Sequence, residues 1–177
     1  MTLYYDDFDD YTYQADTGLV EDGLPMRVWS QQDAEFTGGE LEFTWDIGHS
    51  RTGHWQLFGF YDRVKAELAD GSNVPRIPPQ RFGLGADWDL GAWAANLTWI
   101  RADDHRDTAQ YETPTPGYDL LNAEISYRVD FEGNLGMEVY FRGNNLLGED
   151  VRNSTSFLKD QAPQIGRNLA VGARLSF

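Results

Sequence analysis

The stretch Phe82-Gly-Leu-Gly-Ala-Asp-Trp-Asp-Leu90 alternates strictly between apolar residues and small or acidic ones. Successive side chains of a β-strand point to opposite faces, so this period of two predicts a strand with one apolar and one polar face. The next stretch, Trp93-Ala-Ala-Asn-Leu-Thr-Trp99, repeats the pattern after a short connection at residues 90–92. Together the two stretches predict adjacent antiparallel strands joined by a tight turn.

The same alternation recurs along the chain and predicts six clear strands. Their ranges are 41–47, 82–90, 93–99, 121–129, 135–141 and 169–177. Two weaker stretches, 3–14 and 54–67, carry aromatic residues on both faces, and their assignment relies on the preference of aromatic residues for strands. The sequence therefore predicts an all-β fold of about eight strands.

The connections between these strands alternate in length. Long polar connections are predicted at residues 15–33, 68–78, 104–117 and 146–166, and short ones at 48–53, 90–92 and 131–134. In an antiparallel up-and-down sheet this alternation places all long loops at one end and all tight turns at the other. Outer-membrane barrels have this polarity, with short periplasmic turns and long extracellular loops.

Composition excludes several classes of protein. The 177 residues suit one domain, and the formal net charge of −15 opposes binding to a nucleic-acid backbone. The chain has no cysteine, so it has neither disulfides nor thiolate metal sites. No run of about 18 apolar residues predicts a transmembrane helix, whereas barrel strands escape this test because only alternate residues meet lipid. Residues 1–10 are acidic and predict no signal peptide.

The two faces of the predicted strands differ sharply. The polar face carries eight charged residues: Glu40, Glu42, Asp46, Glu124, Arg128, Glu138, Arg142 and Arg174. A soluble sheet with one solvated face would show the same alternation. Four aromatic residues lie at strand ends beside the short turns, where a membrane barrel has its interfacial girdle: Trp45, Trp88, Trp93 and Tyr127. Their position favours an antiparallel up-and-down transmembrane β-barrel.

The end of the chain carries four features in a fixed order. Gly117-Tyr118 opens a strand, Gly143-Asn-Asn-Leu146 ends one, Gly166-Arg167 precedes the last strand, and Phe177 is a terminal aromatic residue. This order resembles the C-terminal end of the TonB-dependent receptors of Gram-negative outer membranes. Residues 39–40 and 76–85 also look like that family, so the resemblance extends over essentially the whole chain.

The resemblance implies a domain assignment and a function. It implies that residues 1–177 are the C-terminal part of a larger barrel of about 22 strands, without the plug domain and the TonB-contacting motif of such receptors. The family imports scarce ligands through the outer membrane, so a metal or metal complex such as a ferric siderophore, haem or zinc is the expected cargo. TonB would act only through a plug domain that this chain does not show. Enzyme activity and a resident cofactor are not expected.

The last strand resembles the signal that the barrel assembly machinery reads. Gly172, Leu175 and Phe177 match the family pattern, while Ala170 stands where a polar residue is expected. The resemblance therefore implies two further partners, the assembly machinery and outer-membrane lipid. An ordinary apolar edge strand is the alternative interpretation of the same residues.

Two segments are candidate sites. Asp103, Asp104, His105 and Asp107 cluster at the start of a predicted outer loop, and their oxygen and imidazole ligands would suit Zn, Mn or Fe ions. A solvated charge run is the alternative interpretation. The segment Arg142, Gly143, Asn144, Asn145 and Leu146 is expected to form a structural turn, as in the family.

Two other folds fit part of the pattern. The chain could be an independent eight-stranded outer-membrane barrel, serving as an adhesin or a structural anchor, in which the first and last strands pair. It could also be a soluble β-sandwich that binds a polar ligand through its loops. The first rival predicts a sheet closed on itself, and the second predicts two packed sheets.

Overall fold

The computed structural model describes residues 1–131 and 135–177 and contains eight β-strands in this part of the chain. They are β1 (Thr2–Glu21), β2 (Leu24–Ser50), β3 (Gly53–Leu68), β4 (Arg81–Leu90), β5 (Trp93–Ala102), β6 (Tyr118–Asp130), β7 (Gly136–Asn144) and β8 (Asn168–Ser176). All strands belong to one antiparallel sheet in which each pairs with the next along the chain. The predicted all-β meander is confirmed.

The sheet does not close on itself. Among the described residues β1 pairs only with β2, and β8 pairs only with β7. Each of these two outer strands therefore has one edge of backbone N–H and C=O groups without a strand beside it. The fold is an open stretch of barrel wall.

The prediction of a long loop at residues 15–33 is wrong. Residues 15–33 form the end of a β-hairpin, because β1 runs to Glu21 and β2 begins at Leu24. Asp22 and Gly23 have φ angles of 50° and 81°, and positive values at both central residues favour a two-residue hairpin turn. Register shifts between Phe8 and Tyr11 and between Asp16 and Val20 break the alternation, which hid the strand from pattern analysis.

The remaining connections confirm the predicted polarity. Residues 69–80, 103–117 and 145–167 lie at the end of the sheet that carries the Asp22–Gly23 turn, and the turns at 51–52 and 91–92 lie at the opposite end. The predicted turn at 131–134 falls largely outside the described residues. The three long segments pack on one another, and together they are called the loop cap below.

The apolar core lies beside the loop cap rather than in the middle of the sheet. Ala34, Ala66, Leu68 and Val74 are almost fully buried, and four further side chains pack against them: Tyr11, Tyr13, Phe36 and Ile77. By contrast, apolar side chains on the strands are exposed, including Trp45 at 63% and Val171 at 76%. An apolar face left open along the whole sheet suits contact with lipid.

Aromatic pairs mark both ends of this apolar face. Trp55 and Trp88 lie with ring centroids 6.1 Å apart near the short turns, and the Trp93 and Tyr127 rings are 4.7 Å apart. At the other end Phe82 and Trp99 meet edge to face at 5.2 Å. This arrangement is that of two aromatic girdles flanking an apolar band. The described part of the chain forms no helix long and apolar enough to span a membrane.

Candidate functional site

The polar face of the sheet is crossed by ion pairs between neighbouring strands. The Arg81 guanidinium donates to both carboxylate oxygens of Asp62 at 3.1 and 3.0 Å. Arg142 pairs with Glu124, and Arg174 pairs with Glu138 at 2.9 Å. Each pair joins residues that stand directly opposite each other in the strand register.

Other carboxylates on the polar face have no cationic partner. Within the described residues no basic side chain lies within 4 Å of four of them: Glu40, Glu42, Asp87 and Asp89. Asp87 accepts only a hydrogen bond from the Asn96 amide, at 2.7 Å. The face that would line a barrel is therefore acidic, and it would attract cations rather than anions.

Aromatic rings on the same face lie over glycines of the neighbouring strand. Phe58 lies over Gly85, and Tyr140 lies over Gly172, so that a Cβ atom at either glycine would overlap the ring. Phe60 is placed in the same way over Gly83. The alternation in the sequence predicted the face of these glycines but not their aromatic partners, since the pairing depends on strand register.

A buried ion pair lies at the centre of the loop cap. The ammonium of Lys159 is 3.2 Å from Glu112 Oε1, and the two side chains are 7% and 3% exposed. Lys159 Nζ also donates to the Thr113 carbonyl at 2.5 Å. Glu112 Oε2 accepts the backbone N–H groups of Arg76 at 3.2 Å and Ala109 at 3.1 Å. One carboxylate thus joins all three segments of the loop cap.

Further hydrogen bonds fasten the cap segments to each other. Ser154 Oγ donates to the Ile77 carbonyl at 3.4 Å, and Asn73 Nδ2 donates to the Thr108 carbonyl at 3.2 Å. Ser154 is 2% exposed, so this contact is inside the cap. Ser154 and Lys159 lie in the long connection predicted at residues 146–166, and the structure buries both in the cap interior.

The four candidate metal ligands point to separate partners. Asp103 Oδ2 accepts a hydrogen bond from the Gln80 amide at 3.3 Å. Asp104 accepts the Gly117 backbone N–H at 2.8 Å and the Arg106 guanidinium at 2.7 Å. The pKa of the Asp104 carboxyl is lowered mainly by the hydrogen bond from the Gly117 backbone, and next by the contact with Arg106.

His105 and Asp107 do not complete a metal centre with them. His105 is 5% exposed and exchanges two backbone hydrogen bonds with Thr115, at 2.8 and 3.0 Å. Burial lowers the pKa of its imidazole, which favours the neutral ring. Asp107 lines a recess beside Asp103 and Gln80. Within the part of the chain that the structure describes, no three His, Asp or Glu side chains are placed to hold one metal ion.

The turn segment 142–146 is organised around Asn145. This residue is 2% exposed and has a φ angle of 49°, in the left-handed region that Asn tolerates better than most residues. Its backbone N–H donates to Asn122 Oδ1 at 2.9 Å, and its side chain exchanges hydrogen bonds with the backbone of Glu149 at 2.8 and 3.0 Å. A Cβ atom at Gly143 would approach Leu146 to 2.6 Å. Arg142, Gly143 and Asn144 form the end of β7, and the contacts of Asn145 hold the chain where it leaves the sheet.

The three residues of the expected assembly signal lie on or beside the open edge strand β8. Leu175 and Phe177 are 62% and 100% exposed, and Gly172 lies under the Tyr140 ring. Their exposure leaves Leu175 and Phe177, but not Gly172, accessible to another protein. Their recognition by the assembly machinery stays a prediction.

Comparisons with known proteins agree with this geometry. The family described as "TonB dependent receptor-like, beta-barrel" matches residues 1–146. A solved structure, "Copper transporter OprC", has a similar fold, with a TM-score of 0.77 and 19% sequence identity. The match covers 97% of this chain and 27% of that protein, so the chain spans about a quarter of its length. The chain belongs to the TonB-dependent receptor-like β-barrel family, whose members lie in the outer membrane of Gram-negative bacteria.

Proposed function

We propose that this chain forms part of the wall of an outer-membrane TonB-dependent transporter that imports a metal or a metal complex. A ferric siderophore, haem or free zinc is the expected cargo, and the similar fold of a protein named as a copper transporter adds copper to that group. The chain supplies wall, loops and edge strands. Energy transfer from TonB would require a plug domain in the complete receptor.

This proposal rests on the carboxylates of the polar face that have no cationic partner. Glu40 and Glu42 on β2 and Asp87 and Asp89 on β4 leave negative charge along the surface that faces away from the lipid-suited side. Such a surface raises the local concentration of cations and cationic complexes along a pore. It would repel a free anionic ligand, so a cationic cargo is favoured, and an anionic complex would need other contacts to offset the repulsion.

The two rival folds find no support in the structure. A self-closing eight-stranded barrel requires pairing between β1 and β8, which the described sheet lacks. A β-sandwich requires a second sheet, whereas the described strands form one. The open edges fit a chain whose outer strands pair with further strands of a larger barrel.

Uptake measurements in metal-limited cells test the proposal. Deletion of the complete receptor is expected to reduce uptake of one labelled cargo among ferric siderophores, haem, zinc and copper, and the complete gene is expected to restore it. Residues 1–177 alone are not expected to restore it, because the mechanism requires a plug and a closed barrel. Unchanged uptake of every cargo after deletion would contradict the proposal.

A matched pair of variants tests the role of the acidic face. Asp87→Asn combined with Asp89→Asn removes two unneutralised charges from the polar face, and slower uptake is expected at low ionic strength, where screening is weak. Glu67→Gln combined with Asp150→Asn removes two charges outside that face and serves as the control. Equal uptake by both double variants would show that the acidic face does not guide the cargo.

A further inference from the structure

The upper part of the β1–β2 hairpin stands free of the rest of the sheet. The ladder between β2 and β3 stops at Ala34 and Leu68, and beyond it the Ala69 backbone N–H donates to the Asp33 carbonyl at 2.9 Å. Among the described residues, residues 10–33 form no ladder with a third strand. This part is called the distal hairpin below. Tyr11 and Tyr13 pack the base of the distal hairpin against the apolar core. An isolated two-stranded hairpin is marginally stable in water, so further contacts must hold its outer part in place.

Two arginines and one aromatic ring join the distal hairpin to the loop cap. The Arg27 guanidinium lies over the Phe157 ring at 4.7 Å from its centroid, and the Arg76 guanidinium lies over the same ring at 4.4 Å. Arg27 belongs to the distal hairpin, whereas Arg76 and Phe157 belong to two different segments of the loop cap. These three side chains are called the guanidinium clamp below.

Neighbouring contacts hold the guanidinium clamp in position. Asp16 lies across the hairpin from Arg27 and pairs with its Nε at 2.6 Å. Arg76 Nη2 donates to the Gln14 carbonyl at 2.7 Å. The Arg76 pKa is lowered, first of all by burial, so its charge is partly desolvated, and a desolvated cation is attracted more strongly to an aromatic face. The clamp thus links hairpin and cap, and a second polar link is the hydrogen bond from the Gln161 amide to the Gly23 carbonyl at 3.4 Å.

The loop cap has its own separate fastening. The Glu112–Lys159 pair and its backbone hydrogen bonds join the three cap segments without any atom of the distal hairpin. The clamp can therefore be broken while the cap stays assembled. Between hairpin and cap lies a cavity of about 90 Å³, lined by Arg27, Arg76 and Phe157 among others. Arg76 Nη1 is buried near it without a hydrogen-bond partner.

We infer that the distal hairpin is a movable strap, held closed over this cavity by Phe157 beneath the guanidinium groups of Arg27 and Arg76. Loss of the clamp releases the strap and exposes the cavity and the Arg76 guanidinium to the extracellular side. The strap would then control access to this part of the loop cap. This inference concerns conformation, and it stands whether or not the cargo is a metal.

A distance measurement in the complete receptor tests the strap. Cysteines that replace Glu21 on the distal hairpin and Gln110 on the loop cap, both exposed, would carry spin labels, and this chain has no cysteine of its own. A second labelled pair, Gln110 and Glu149, lies within the cap and reports whether the cap is intact. Phe157→Leu removes the aromatic face and Phe157→Tyr keeps it. Trp29→Ala is a control at an exposed residue of β2, the strand that carries Arg27.

The parent receptor, Phe157→Tyr and Trp29→Ala are expected to give one narrow Glu21–Gln110 distance. Phe157→Leu is expected to lose this single distance in favour of a broad, longer distribution, and its Gln110–Glu149 distance should stay unchanged. An unchanged Glu21–Gln110 distance in Phe157→Leu would overturn the inference. A simultaneous change in the Gln110–Glu149 distance would also overturn it, because Phe157 would then support the cap as a whole.

Discussion

Buried polar side chains determine the shape of the loop cap at the level of single residues. Few apolar residues in the loops are fully buried, with Val74 and Val151 the main examples, whereas Glu112, Lys159 and Asn145 are buried with hydrogen-bond partners. A buried polar group stabilises a loop only while its partners are present. Removal of one partner leaves the other buried without a hydrogen bond that offsets its desolvation. Loop cap variants should therefore act through hydrogen bonds more than through lost volume.

Asn145→Ala tests this view directly. The substitution removes both side-chain hydrogen bonds to Glu149 and places a residue that disfavours positive φ at a φ angle of 49°. We expect the free energy of unfolding to fall by about 1–3 kcal/mol and the segment 145–167 to become more sensitive to protease on intact cells. Asn168→Ala, at the exposed far end of the same connection, is the control. Equal protease sensitivity of the two variants would contradict a structural role for Asn145.

His105 gives a second residue-scale prediction, through pH. Its pKa is lowered from 6.5, mainly by burial, with Lys159 lowering it further and Glu112 and Asp107 opposing the change. The unfolded chain therefore binds the proton more readily than the folded one, so His105 costs no stability above pH 6.5 and progressively destabilises the loop as pH falls below it. Protease sensitivity of segment 103–117 should rise on acidification. His105→Gln should lose that part of the pH dependence, and an identical profile would contradict the assignment.

Sequence patterns identified some of these residues and not others. The segment 142–146 was predicted to be a structural turn, whereas Arg142, Gly143 and Asn144 belong to β7 and the chain leaves the sheet only at Asn145. Glu112 and Lys159 had no signal, because their burial depends on a meeting between segments 47 residues apart. The charge run at 103–107 looked like a set of metal ligands, since a sequence cannot show that neighbouring side chains turn toward different partners.

At the level of strands, cross-strand pairs of an aromatic residue and a glycine shape the polar face. A ring that lies over a glycine covers backbone that would otherwise be exposed, and it fixes the register of the two strands. The pairs Phe58–Gly85 and Tyr140–Gly172 lie on different strand pairs, β3–β4 in the middle of the sheet and β7–β8 at its edge. A Cβ atom at these glycines has no room while the ring stays in place.

Gly85→Ala should therefore destabilise the sheet by overpacking against Phe58, by about 1–3 kcal/mol. Phe58→Ala should relieve the overlap, so the double variant should be more stable than the sum of the two single effects predicts. Unfolding of the complete receptor in denaturant and detergent measures all three variants. Gly166→Ala, where the Cβ position has open space and φ is not positive, is the control without a packing clash. Simple additivity would contradict the contact.

The strands also show where pattern analysis fails. The six clear strands were found because their apolar residues meet lipid at every second position without interruption. Residues 15–33 of the distal hairpin were taken for a loop because they stand outside the apolar band and a register shift between Asp16 and Val20 interrupts the alternation. Its turn residues Asp22-Gly23 were a usable signal, since that dipeptide is typical of tight hairpins.

At the scale of the whole molecule, the fold separates two surfaces with different tasks. One face is apolar and flanked by aromatic girdles, and the other is acidic and crossed by ion pairs. The loop cap closes the end of the sheet at which extracellular ligands would arrive. Under the proposed function, a cargo that approaches the polar face from outside would meet the loop cap and the distal hairpin first.

The unpaired edges of β1 and β8 determine how residues 1–177 should behave when produced alone. In a detergent micelle the backbone groups of both edges would face hydrocarbon, and each unsatisfied group costs several kcal/mol. In plain buffer the apolar face would be exposed instead. We therefore expect aggregation in both, and no band whose gel mobility changes on boiling, whereas the complete receptor refolded in the same detergent should show one. A heat-modifiable monomer of residues 1–177 would mean that β1 and β8 can pair, and a folded monomer in buffer would contradict the lipid-facing role of the apolar surface.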